Sequence, residues 1–109
     1  MPADPYTILQ TIANAIQTGQ MRFKAHAQTQ MAIRRITSTE ITESITSHSS
    51  EIIENYPNDK YSPSCLVYGI TKSGRILHVH VNHKAIIITA YDPDPEKWID
   101  LKKRRTTQW

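Results

Sequence analysis

The stretch RILHVHVNHKAIIITAY, residues 75–91, decides the fold. In its first half Leu77, Val79 and Val81 alternate with His78, His80 and Asn82, the period of two that a strand with one buried face produces. After His83 and Lys84 a second β-rich run returns over residues 85–91. Two strands separated by two residues read as a hairpin, which places Asn82 opposite Ala85 and His78 opposite Thr89, with Tyr91 two residues along. Leu77, Val79 and Val81 form the core side, and Ile86, Ile88 and Ala90 are expected to extend it. Ile87, Thr89 and Tyr91 then share the histidine side.

Working outward, residues 65–71 are also rich in β-branched and aromatic side chains, and Lys72-Ser73-Gly74 joins them to residues 75–82 through a turn whose glycine takes positive φ. Ile52, Ile53 and Tyr56 mark an earlier strand, ended by Pro57-Asn58-Asp59. Downstream, Asp92-Pro93-Asp94-Pro95 closes the sheet, because proline cannot donate to a ladder. Residues 96–103 are expected to form a short helix with Trp98 and Leu101 facing inward, followed by a disordered basic tail over 102–109.

Upstream the period is helical. Asp4-Pro5 supplies an N-cap and a first-turn proline, Ile8, Leu9, Ile12, Ala13 and Ile16 recur at helical spacing, and Gly19 stops the element, which places a helix within residues 1–20. A second helix covers 25–35, and Thr37 with Glu40 has capping-box spacing at the head of a third, which fades near 47–50. The predicted class is α+β: N-terminal helices followed by a four-stranded antiparallel sheet, in one domain spanning 1–109.

The bulk properties fit this. A chain of 109 residues has room for one core. Cys65 is the sole cysteine, within the apolar run Cys65-Leu66-Val67-Tyr68, so a buried thiol in a reducing compartment is expected. The longest apolar stretch, residues 85–90, falls far short of the ~20 residues that span a bilayer, and no signal sequence is evident. A cytoplasmic location without membrane contact is expected. The net charge of +3 is unevenly placed: Arg22, Lys24, Arg34 and Arg35 cluster early, while Lys102, Lys103, Arg104 and Arg105 run consecutively. An anionic partner is permitted by those clusters but not required, the terminal run reading either as a solvated tail or as phosphate contacts.

Chemistry gathers in two places. His78, Thr89 and Tyr91 are predicted to converge on the sheet, and an imidazole, a hydroxyl and a phenol there can accept, donate and shuttle protons. The bland alternative is a solvated face that carries His, Thr and Tyr for their β-propensity. His78-x-His80, with His83 nearby, has the spacing of a metal pair, yet no carboxylate or cysteine stands at a fitting distance, so these read as surface histidines and no metal or cofactor is expected. On the second helix His26, Gln30 and Arg34 are four apart and form a polar ridge beside Ala27 and Met31.

The residues His26-Ala27, Met31, Arg34, Ile36, Ile52-Ile53-Glu54-Asn55-Tyr56-Pro57, Gly69, Leu77-His78-Val79, Ile88-Thr89-Ala90-Tyr91, Asp94-Pro95 and Trp98 resemble the pattern of small bacterial proteins grouped as domain of unknown function 4258. The resemblance covers residues 23–98 and implies a fold similar to RelE-like and barnase-like ribonucleases, many relatives looking like toxins of toxin and antitoxin pairs. It implies that His26, Arg34, His78, Thr89 and Tyr91 are the catalytic set, with His26 or His78 as base or acid in metal-independent RNA cleavage. Gln30, Arg35, Lys102, Lys103, Arg104 and Arg105 are then expected to hold substrate. Gln30 stands where the pattern has arginine, and a glutamine cannot neutralise a phosphate. A non-catalytic module binding RNA or protein is the alternative. Expected partners are RNA, an antitoxin protein and an identical subunit.

Overall fold

A computed structural model of the chain describes residues 4–59 and 62–105. Helix α1, Pro5–Gln17, is started by the Asp4 carboxylate accepting from the Thr7 amide at 2.8 Å, satisfying one of the donors that a helix start orphans. Helix α2, Ala25–Arg34, ends where Arg35 turns left-handed at φ 55. Helix α3, Ser38–Thr46, begins with the expected capping box between Thr37 and Glu40.

The main sheet has five strands rather than four. Strands β1, Arg22–Phe23, β2, Glu51–Tyr56, β3, Ser64–Ile70, β4, Ile76–Asn82, and β5, Ile86–Tyr91, lie in the order β1-β5-β4-β3-β2, and β1 runs parallel to β5. The Arg22 and Lys24 amides donate to the Ala85 and Ile87 carbonyls. A two-residue strand shows no alternation, so nothing in the sequence marks it.

The β4–β5 register also departs from the expected hairpin. The connection is a three-residue loop, His83 to Ala85, with Ala85 at φ 63 and the Asn82 side chain accepting from the Lys84 and Ile86 amides. A bulge follows, where Val81 pairs with Ile87 and His80 with Thr89. An extra residue in one strand swaps the facing side chains. Ile87 and Ala90, not Ile86 and Ile88, therefore enter the core, and His78 faces Tyr91 rather than Thr89.

The helices cover one face of the sheet. Ile12, Ile41, Ile45, Val67, Leu77, Val79, Val81 and Ile87, all without exposure, form a single cluster with Met31 and Ile16. α3 crosses β3 at Gly69, where a Cβ would overlap the Ser44 backbone carbonyl. Only glycine permits that approach.

The other face is covered by what was expected to be a helix and a disordered tail. Instead β6, Trp98–Ile99, pairs with β7, Lys103–Arg104, in a separate two-stranded hairpin. Asp100 and Leu101 both have positive φ, 52 and 61, and the Lys102 amide returns to the Ile99 carbonyl at 3.0 Å, the geometry of a tight hairpin turn. Residues 106–109 of the predicted tail lie outside the described residues. No described helix is long and apolar enough to cross a membrane.

Candidate functional site

Across three strands Tyr68, His78 and Tyr91 stand in one row, because β3 pairs Tyr68 with His78 and β5 pairs Tyr91 with His78. Trp98 stacks edge-on over the His78 ring with centroids 4.5 Å apart. Beneath this cover His78 has no exposed surface. The predicted catalytic histidine is therefore enclosed.

Its proton can be placed. A carbonyl oxygen only accepts, so the contact of His78 Nε2 with the Leu101 carbonyl puts the proton on Nε2. Nδ1 then accepts from the Tyr91 hydroxyl at 3.3 Å. Burial lowers the His78 pKa, against smaller opposing effects of the Leu101 carbonyl and Glu54. His78 is a neutral link that fastens the C-terminal hairpin and orients Tyr91. Burial raises the Tyr91 pKa, so the phenol keeps its proton.

His80 is not a plain surface residue either. Ser64 donates to Asp59 Oδ2 at 2.7 Å, and His80 Nε2 lies 2.9 Å from the Ser64 oxygen. The serine proton points to the carboxylate and the side chain is buried, which suits a tether for the loop after β2 rather than a nucleophile. Asn82 is spent on the β4–β5 loop. Among the described residues no three His, Cys, Asp or Glu side chains gather as a metal site.

Beside this row opens a cleft of about 590 Å³ lined by Arg34, Tyr91, Asp92, Asp94, Lys97, Trp98 and Arg104, within the range of small-ligand sites. Arg34 reaches it from the end of α2, its Nη1 donating to the Ala90 carbonyl at 2.8 Å. Arg75 holds that end of α2 in place: its guanidinium donates to the Arg34 and Arg35 carbonyls at 3.0 and 2.8 Å, to Glu40, and to Asp92 at 2.7 and 2.9 Å. Those bonds to Arg75 lower the Asp92 pKa, so the carboxylate stays ionised with its charge offset by the guanidinium. The opposite wall is the hairpin, where Arg104 stacks on Trp98 at 4.6 Å and donates twice to Glu54, at 2.6 and 3.0 Å. Burial pushes the Glu54 pKa up, but its bonds from Arg104 and Tyr56 outweigh that and keep it ionised.

Of the predicted residues, Arg34 and Tyr91 share the cleft and His78 stands behind Tyr91. His26 does not join them. It is exposed at the opposite end of α2, two turns, or about 12 Å, along the axis from Arg34, with Gln30 between. Thr89 sits opposite His80, and Arg35 is exposed, its carbonyl bonded to Arg75. The basic run divides: Arg104 lines the cleft, Lys102 pairs with Glu51 at 3.4 Å and lies 4.7 Å over Tyr68, and Arg105 donates to the Pro95 carbonyl. Lys103 is exposed. Lys97, Arg75 and Glu54 were not foreseen. The charged partners of Arg75 and Glu54 stand 17 to 50 residues away in the chain, so no local pattern marks those pairs.

Residues 23–92 match the model of a family described as Domain of unknown function (DUF4258). No curated protein and no solved structure matches the chain, so the expected likeness to RelE and barnase folds rests on the family resemblance alone.

Proposed function

Because the chain belongs to this family of domains of unknown function, whose description carries no activity, we propose a function from the cleft itself: it binds the sugar–phosphate backbone of RNA. One observation carries the reading. Cations from two separate walls, Arg34 on α2 and Lys97 with Arg104 on the C-terminal hairpin segment, converge on a single concavity around the Tyr91 ring. Arg34 uses one of its donors on Ala90 and is held by an anchored backbone, so its remaining donors are preorganised for a phosphate.

The test is binding of a fluorescent single-stranded oligoribonucleotide across a salt series. Each cation that contacts a phosphate contributes roughly 0.7 to the salt slope on single strands. Arg34→Gln and Lys97→Gln should each lower affinity and flatten that slope. A wild type without salt-dependent binding, or variants that bind like it, would end the proposal.

Cleavage is the second reading, favoured by the hydrogen bond from Tyr91 to His78. In it His78 acts on substrate only through Tyr91, and the products carry 2′,3′-cyclic phosphate ends in the presence of a chelator. Bound RNA recovered intact decides for binding alone.

A further inference from the structure

Resting on that reading of the cleft, we propose that Glu54 is a positioning residue for anion binding, so that removing its negative charge weakens RNA binding instead of strengthening it. Ordinary electrostatics gives the opposite sign: deleting a carboxylate from the neighbourhood of a polyanion site raises affinity.

The hairpin that supplies one cleft wall has no backbone pairing with the main sheet. Side chains seat it. Trp98 lies over His78, Leu101 bonds to His78, Lys102 reaches Glu51, and Arg104 is gripped by Glu54. Only the last of these fixes a side chain of the hairpin that both lines the cleft and carries charge. Two parallel bonds to the carboxylate, through Nε and Nη2, set the plane of the Arg104 guanidinium against the Trp98 ring. That fork geometry is rigid. It uses two of the five guanidinium N–H groups on Glu54, while the guanidinium as a whole lines the cleft. Glu54 is itself held from behind, since the Tyr56 hydroxyl donates to it. The line Tyr56 to Glu54 to Arg104 therefore runs from β2 into the cleft, and the carboxylate's charge is already spent on the guanidinium.

Glu51 is the internal control. It lies on the same strand and pairs with a cation of the same hairpin, Lys102, but neither residue lines the cleft. Oligoribonucleotide binding is measured for the wild type, Glu54→Gln, Glu51→Gln and Tyr56→Phe, with hydrogen exchange followed over residues 98–104. Glu54→Gln should bind two- to fivefold more weakly, the factor that an ion pair of this exposure carries, with a shallower salt slope and faster exchange in the hairpin. Tyr56→Phe changes no charge and should shift binding the same way by less. Glu51→Gln should bind equally or more tightly. Glu54→Asp, which keeps the charge, should recover part of the loss. Tighter or unchanged binding by Glu54→Gln overturns the inference. A wild type that does not bind RNA fails the cleft reading first and is distinguished by that alone.

Discussion

Acidification should loosen this protein through His78, and the amount can be worked from its surroundings. The imidazole is enclosed, with Nε2–H donating to Leu101 and Nδ1 accepting from Tyr91, so a second proton would meet a hydroxyl already oriented as donor. The folded-state pKa is depressed below the ordinary 6.5. An unfolded chain regains that ordinary value. Between the depressed value and 6.5 the unfolded state binds more protons than the folded one, so stability falls as pH drops through that window and levels off below it. The slope for one such group approaches about 1.4 kcal/mol per pH unit. Urea unfolding of the wild type and His78→Gln at pH steps from neutral to acid isolates it, since contributions of the other histidines cancel in the difference. The wild type should lose stability faster than the variant below pH 6.5. Parallel profiles would show that His78 is as readily protonated folded as unfolded and would refute the depression of its pKa by burial.

Gly69→Ala should cost 3 kcal/mol or more by the same assay, roughly the upper range of overpacking, because the added methyl meets the Ser44 backbone, which cannot rotate away. Gly74→Ala, with open space and φ 93, should cost only about 1 kcal/mol. Arg75→Gln should lower stability by about 1 to 3 kcal/mol, as loss of charge-assisted bonds does, and should weaken RNA binding with it by freeing the end of α2; unaltered binding would separate the two. Cys65, fully buried and with its thiol pushed up to about 12 by burial, should resist thiol reagents until urea unfolds the chain.

How much of this was readable beforehand depended on how local each signal is. The caps of α1 and α3 were plain, because Asp4 with Pro5 and Thr37 with Glu40 act within one helical turn. Alternation in β4 was equally plain and assigned its core face correctly. β5 was misread beyond the turn because a three-residue loop and a bulge leave no mark in a run of isoleucines that fit either face. The helix expected over 96–103 rested on the spacing of Trp98 and Leu101, which serves a hairpin as well once Asp100 and Leu101 adopt positive φ. In the cleft, Arg34 and Tyr91 were legible as polar residues beside apolar ridges. The place of His78 on the sheet face turned away from Leu77 and Val79 was legible from alternation, whereas its burial under Trp98 was not, because that cover comes from a hairpin 20 residues further on. The basic run looked like a free tail because its acidic counterparts, Glu51 and Glu54, belong to a strand half the chain distant.

The short parallel pairing of β1 with β5 governs the order in which the protein can assemble as it is made. Residues 22 and 23 leave the ribosome early but must wait for 86 and 87, an interval of several seconds at roughly 5–20 residues per second. Through that interval α2, which packs on β5, has no sheet to bury Ala27 and Met31 against. A nascent chain halted after Asn82 would hold three helices, three paired strands and an unpaired β1, yet leave those residues open to water, a species suited to chaperone capture and prone to association. The main sheet closes only when its fifth strand arrives, and that strand is also the one that carries Tyr91 into the cleft.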